Sequence, residues 1–449
     1  MFNSRAKRKF PSNEISDSHF GRQVIFVLFL FLIVINVAIF DSCASAGQTA
    51  PSSNQVSAKN SPLSFLQVSG AKILNQSKRE IRLRGFHYEC FYLLDKRIYD
   101  ATKSSGLQSD GCFIEFSKYF CTAKDLNEIK AMGANVIRIG LRLWHLEKAP
   151  FTYNQAALQH LDNTIMRIAK QGLYVILDLH AAGQNNLNHN KEYGHILWNQ
   201  TEFQNRVVAL WGVISKRYQN NPAIAGYDLI NEPMAPTKQA LHNFYQRCIT
   251  EIRKHDRKHL LIIGKNLGKP EDINFGGEYD DSNIVLSVHF YKPGQFTGQG
   301  KKGFRLGRPY PGRYHGIYWD AGQIEKYFNS ILSGLKIERP LFVGEFAANA
   351  WGGHGDALRW IEDVMAVFNR KGIHYTYFSY KFPMRGTRAF LIPREEIKKD
   401  FFKLFRRMRR GILACDKVKT EKKQLFLSSN FESYPGLKQL LTKGFTHND

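Results

Sequence analysis

Eight short, β-rich apolar runs recur along this 449-residue chain, at 81–87, 134–141, 173–180, 224–231, 260–264, 284–289, 341–345 and 374–380. They lie too far apart for hairpins. Most are also too apolar for a sheet with one wet face, and suit parallel strands covered on both sides. Between them the apolar period lengthens to that of amphipathic helices, over 122–132, 153–171, 201–218, 238–255, 323–335 and 357–371. The connection 265–281 lacks a long helical pattern. Such alternation builds either an open doubly wound sheet or a closed barrel. Eight strand-plus-crossover units predict the α/β class and a (β/α)8 TIM barrel. A basic amphipathic segment at 393–410 reads as the closing helix, with Phe401, Phe402, Leu404 and Phe405 on the barrel and its cations outward. Those cations have a second reading, a surface that docks on anionic membrane or acidic polymer. The barrel domain is thus expected over 65–410, followed by a basic tail at 411–449.

In a barrel of this kind the working side chains sit at the C-terminal ends of the strands. Here those ends carry His87 and Glu89, Arg138, His180, Asn231 and Glu232, His289 and Tyr291, Glu345, and Phe378 with Tyr380. A carboxylate directly after an apolar strand is costly unless it is paired or used. Glu232 ends the fourth run and Glu345 the seventh, so the two would face each other across the barrel mouth. That arrangement suits glycosidic cleavage, in which one carboxyl protonates the departing oxygen while the other attacks the anomeric carbon. The blander alternative is a pair of salt-bridged structural carboxylates. Asp178, two residues before His180, is expected to form a buried ion pair with Arg138. No His, Asp or Glu spacing suggests a metal site, and the chemistry requires no metal or cofactor. Gly298-Gln-Gly300-Lys-Lys-Gly303 formally matches a dinucleotide fingerprint. It runs into a Pro- and Gly-rich stretch rather than a helix, so no nucleotide is expected there.

The ordered segments 83–89, 135–139, 177–180, 230–233, 288–291, 344–346 and 378–381 resemble glycoside hydrolase family 5, the cellulase-like retaining β-glycosidases. Asn231-Glu232-Pro233 alone is weakly specific; the whole set in order is highly specific. The resemblance implies that Glu232 is the general acid/base and Glu345 the nucleophile. It implies further that Arg138 hydrogen-bonds near the nucleophile and that Asn231 contacts the sugar 2-hydroxyl. His180 and His289 would line the subsite of cleavage, and Tyr291 would hold Glu345 or donate toward the departing sugar. One position departs from the pattern: the family commonly ends strand eight with Trp-Ser, and here Phe378 precedes Ser379. Phenylalanine still stacks on a pyranose but covers less of it and lacks the indole donor. Trp319 and Trp351 are candidates to supply the missing surface. A polysaccharide, most directly a β-1,4-glucan, or a glycoconjugate is the expected substrate.

Arg5, Lys7, Arg8, Lys9 and Arg22 precede an apolar stretch over 24–40, and Ala44-Ser45-Ala46 offers a small-x-small cleavage pattern. Residues 1–46 therefore read as a signal peptide or as an uncleaved anchor with its basic end inside. Either way the working domain is expected outside the cytoplasm, secreted, periplasmic or membrane-associated through 24–40. Residues 47–64, rich in Ser, Gln and Asn, read as a flexible linker. Cys90, Cys112 and Cys121 lie close enough in sequence for a disulfide among them, with ordinary buried thiols as the alternative. The net charge is +24, and residues 1–46 account for only two of these charges, so the excess belongs to the working domain. It would attract polyanions. A hydrophobic share of 43% and a charged share of 23% exclude disorder, collagen and coiled coil. Nucleic acid is not an expected partner, because no recognised binding motif is present. A non-catalytic glycan or polyanion binder that only keeps the barrel is the remaining class. The intact set of strand-end residues argues against it.

Overall fold

The computed structural model describes residues 63–88, 116–181, 194–267, 279–300, 304–335, 337–350, 355–381, 388–409, 413 and 417–447. The segment 1–46, the linker as far as residue 62, Glu89 and Trp351 lie outside the described residues. Eight strands form a closed barrel: β1 (Arg84–His87), β2 (Val136–Arg142), β3 (Tyr174–Ala181), β4 (Ile224–Asp228), β5 (Leu260–Gly264), β6 (Ile284–Phe290), β7 (Leu341–Phe346) and β8 (His374–Phe378). Each pairs in parallel with the next in chain order, and β8 returns to β1. The expected (β/α)8 barrel is therefore present.

Around it run α1 (Ala123–Ala131), α2 (Gln155–Ala169), α3 (Thr201–Tyr218), α4 (Lys238–Arg253), α5 (Ala321–Ser333) and α6 (Asp356–Arg370). Four of them begin where the sequence offers a side-chain cap. Thr122, Asn154, Thr237 and Asp320 each accept a backbone N–H three residues on, satisfying a donor the first turn cannot pair. Their apolar residues recur at helical spacing and face the strands; on α4 these are Leu241, Phe244, Tyr245, Cys248, Ile249 and Ile252. A second, smaller core fills the barrel. Val136, Tyr174, Ile176, Ala225, Leu260, Ile262, Val285 and Phe342 point inward, and Leu66 and Ile73 from an N-terminal hairpin join them. The strands alternate, so the side chains that follow inward toward the C-terminal ends are the polar ones that make the site.

The chain beyond 410 is part of this fold, and the closing helix differs from the expected one. Helix α7 (Glu395–Arg409) packs Phe401 on Phe426 and Phe431, outside the ring. The seam between β8 and β1 is covered instead by α8 (Leu437–Phe445). Phe445 lies 5.2 Å from Phe86 and 6.1 Å from Tyr375, and the Tyr375 hydroxyl donates to the Gly444 carbonyl at 2.8 Å. Lys438 pairs with Glu128 of α1 and Lys443 with Glu362 of α6, which places α8 in the eighth position of the ring. A short strand, Phe431–Ser433, pairs with Leu391–Pro393 and ties the segment down. Lys381 pins it further. Its Nζ donates to the carbonyls of Phe120 and Phe426 and to Ser428 Oγ, and lies 4.6 Å from the ring centroids of Phe120 and Phe431. The apolar face of α7 is buried as expected, but on this C-terminal extension and not on the strands. Cys121 is disulfide-bonded, its partner lying outside the described residues, and Cys248 is a free thiol in the core.

Candidate active site

Arg138 on β2 organises the upper end of the barrel. It is fully buried, so each of its donors needs a partner. Nη1 donates to Glu345 Oε1 at 3.2 Å and lies 3.2 Å from His87 Nδ1. Nη2 donates to Asn231 Oδ1 at 2.9 Å and pairs with Asp178 at 3.0 Å and Asp228 at 2.9 Å. The expected Asp178–Arg138 pair is formed. Burial would raise the Asp178 carboxyl, but Arg138 and His180 hold it below its ordinary value. Burial wins at Asp228, which is pushed up to about 6 against the pull of Arg138. His87 is driven well below its usual range by burial and then by the Arg138 charge. It is therefore neutral, which leaves Nδ1 able to accept from Arg138.

The two glutamates converge. An oxygen of Glu232, one of Glu345 and a ring nitrogen of His289 all lie within 4.8 Å of one another. His289 Nδ1 stands 2.9 Å from Glu232 Oε1 and 3.6 Å from Glu345 Oε2. Burial opposes a charge on this imidazole, yet the Glu345 charge and the hydrogen bond to Glu232 raise its pKa above the ordinary value. The Tyr291 hydroxyl donates to Glu345 Oε2 at 2.8 Å. Burial and the Glu345 charge push that phenol well above its usual range, so it stays a donor. Gly344 makes room for the arrangement: a Cβ there would meet His289 Nε2 at 3.0 Å. Glu232 itself is held at φ 45°, a left-handed backbone, directly before Pro233. Such conformations cost about 1–3 kcal/mol and persist where the surroundings over-determine them.

His180 is oriented by Asp178 Oδ2 at 2.7 Å from its Nδ1. Phe378, half-buried at the end of β8, lies 4.9 Å from His87, and its plane is within 7° of that of His180 at 6.5 Å. Every site residue expected from the sequence is thus at this end of the barrel: Arg138, His180, Asn231, Glu232, His289, Tyr291, Glu345 and Phe378. Beside Glu232 opens a cavity of about 470 Å³, lined by Asn231, His289, Lys265, Asn266, Lys292 and Tyr327 among others. Trp319 does not supply a sugar platform. It is 5% exposed and packs 6.4 Å from Phe290 in the core.

Residues 99–382, more than half the chain, match the family Cellulase (glycosyl hydrolase family 5). The chain belongs to that family. Over 250 residues it is 32% identical to a beta-xylosidase of Phanerodontia chrysosporium, covering 51% of this chain and 52% of that protein. The match thus spans about half the length of that relative. Over 291 residues it is 25% identical to endoglucanase C of Acetivibrio thermocellus, covering 58% and 84%. A probable glucan 1,3-beta-glucosidase A of Aspergillus niger is 24% identical over 181 residues, covering 38% and 42%. The fold is shared with the crystal structure of an endoglucanase of Thermotoga maritima, with a TM-score of 0.51 at 22% identity over 65% of this chain and 90% of that one.

Two residues of this family 5 barrel, Asp228 and Arg388, carry site contacts that sequence reasoning did not assign. Asp228 left a signal, a lone carboxylate inside an apolar strand. His87, one of the expected strand-end residues, lies against Arg138. Arg388 left none. Its guanidinium lies 3.9 Å from the Tyr291 ring centroid and donates to the Thr297 carbonyl, bracing the tyrosine from a loop after β8.

Proposed function

We propose that this chain is a retaining β-glycosidase acting on polysaccharide, most directly an endo-β-1,4-glucanase. The observation that carries the reading is the convergence of the two carboxyls, one oxygen of each lying within 4.8 Å of the other as a nearest approach. Double displacement uses carboxyl groups about 5–5.5 Å apart, whereas inversion needs about 6.5–9.5 Å to admit a water. The asymmetry of their partners supports the assignment of roles. Glu345 is fixed by Arg138 on one oxygen and Tyr291 on the other, which holds its carboxyl in one orientation, as suits a nucleophile. Glu232 is bonded to an imidazole whose proton affinity is raised, so the Glu232–His289 pair keeps a proton within reach of the departing oxygen.

In the first step a Glu345 oxygen attacks the anomeric carbon as Glu232 delivers a proton to the leaving sugar. In the second, Glu232 takes a proton from water, whose oxygen displaces Glu345. Asn231, oriented by Arg138, would bind the 2-hydroxyl, an interaction that strengthens at the transition state. The test separates the two roles. Glu345→Ala is expected to be silent on every substrate. Glu232→Ala is expected to lose polysaccharide hydrolysis yet to release a burst of an acidic phenol from an aryl glycoside, which departs without protonation. Silence of both variants on the aryl glycoside overturns the assignment of Glu232.

A second substrate reading rests on Phe378, which gives a smaller stacking surface than the usual tryptophan. It is the same chemistry on mannan, β-1,3-glucan, a xyloside or a glucosylated lipid, and parallel assays on these substrates decide between them. The reading also puts the domain outside the cytoplasm, membrane-associated through residues 24–40 or released. The disulfide at Cys121 supports this, since such bonds persist in oxidising compartments. Recovery of the full chain in the cytosolic fraction of its host, with Cys121 reduced, would refute it.

A further inference from the structure

Helix α7 takes no part in closing the barrel, so its cationic face needs another account. The helix dipole favours cations in the last turn, but Lys399 and Lys403 precede that turn. Lys399, Lys403 and Arg407 recur every four residues and are exposed. At a rise of about 1.5 Å per residue they form a stripe with steps of about 6 Å. The facing segment after residue 416 brings Lys417, Lys419 and Lys422, all exposed as well. A groove of about 270 Å³ runs between the two walls, bordered by Lys403, Arg407, Lys417, Lys419 and Lys422 against a single carboxylate, Asp400. Lys403, Arg407, Lys419 and Lys422 enter no ion pair among the described residues.

We propose that this groove binds a linear acidic polysaccharide, a polyuronate-type chain lying lengthwise between the two cationic walls. Cations on two facing walls of one concavity suit a strand that enters between them better than a flat headgroup surface. The apolar lining selects a sugar over a single-stranded nucleic acid. It consists of Leu404, Leu413 and Val418, with no aromatic ring for a base to stack on. Carboxylates repeated along a sugar chain match a repeated row of cations, and the apolar side chains suit the C–H faces of pyranose rings. The groove would hold the protein on an acidic matrix while the cleft of Glu232 and Glu345 works on other chains. This inference goes beyond the hydrolytic reading and does not depend on it.

The test is binding of the full chain to polygalacturonate, with a neutral β-glucan, phosphatidylserine vesicles and single-stranded DNA as comparison arms. Exposed ion pairs are worth about 1.5- to 5-fold each, so K403Q/R407Q/K419Q/K422Q is expected to weaken polygalacturonate binding by about fivefold or more. Binding by the unaltered chain should also fall as salt is raised. The charge-matched control K170Q/K216Q/K238Q/K326Q, altered at exposed lysines elsewhere, is expected to bind nearly as the unaltered chain does. Both variants should keep their thermal midpoint and their rate on the neutral glucan. Equal losses in the two variants would mean that net charge alone carries the binding, and would overturn the groove. So would an absence of polygalacturonate binding at low salt. A groove variant that loses vesicles or DNA while keeping polygalacturonate would overturn the choice of occupant.

Discussion

Tyr291→Phe removes one oxygen from the active site and leaves almost everything else in place. The ring stays beneath Arg388, whose guanidinium lies 3.9 Å from its centroid, so the loop that carries it has no reason to move. What disappears is the 2.8 Å hydrogen bond to Glu345 Oε2. Hydrogen bonds to charged groups contribute about 1.5–3 kcal/mol. Glu345 is only 4% exposed, so water does not readily take the place of the phenol. In the proposed double displacement the hydroxyl would fix the rotamer of Glu345 for attack and stabilise its carboxylate as it leaves in the second step, so most of that energy should be felt in the chemical steps. The expected result is a fall in kcat of about 10- to 150-fold. KM should change less, because no substrate contact is removed. Steady-state hydrolysis of an oligosaccharide, together with a thermal melt, measures both quantities. A kcat within twofold of the unaltered protein, with the fold intact, would refute the argument that Tyr291 holds the nucleophile. A large fall in melting temperature would instead mark the hydroxyl as structural.

Arg138→Met leaves Asp178, Asp228 and Glu345 around an apolar side chain, at 0%, 2% and 4% exposure. Breaking a buried ion pair costs about 3–5 kcal/mol, so urea denaturation should show a loss of that order along with loss of hydrolysis. Lys381 is pushed down to about 7 by burial, against the opposing charge of Asp125. An unfolded lysine titrates near about 10.4, so above pH 7 the unfolded chain holds a proton the folded chain has shed, and stability rises with pH by up to about 1.4 kcal/mol per unit. Urea midpoints between about pH 7 and 9 should rise less steeply in Lys381→Met; an unchanged slope contradicts the shift. Phe445→Ala empties the contact with Phe86 and Tyr375 and should cost about 3–5 kcal/mol. Ending the chain after residue 410 removes α8 altogether, and a cooperative, active product would show that the ring closes without it.

The one-dimensional pattern determined the strand count, the parallel barrel and the end of the barrel at which chemistry occurs. Each of those depends on neighbours in sequence. A continuous apolar run is a covered strand whatever it packs on, and a carboxylate that ends one points to the barrel mouth. Glu232, Glu345 and Arg138 were legible for that reason. What the pattern did not decide was which amphipathic segment fills a given place. Residues 395–409 and 437–445 both carry an apolar stripe. The gap between α1 and α6 is matched by the shorter helix, through Phe445 and two flanking lysines, and nothing local to either segment announces it. Trp319 likewise sits near a strand end in sequence and in the core in space. Arg138 meets Asp228, 90 residues away, and Glu345, 207 residues away, only because the barrel closes. Covalent neighbours set the periodicity, whereas partners across the barrel are set by closure, and it is closure that turns separate strand ends into a site.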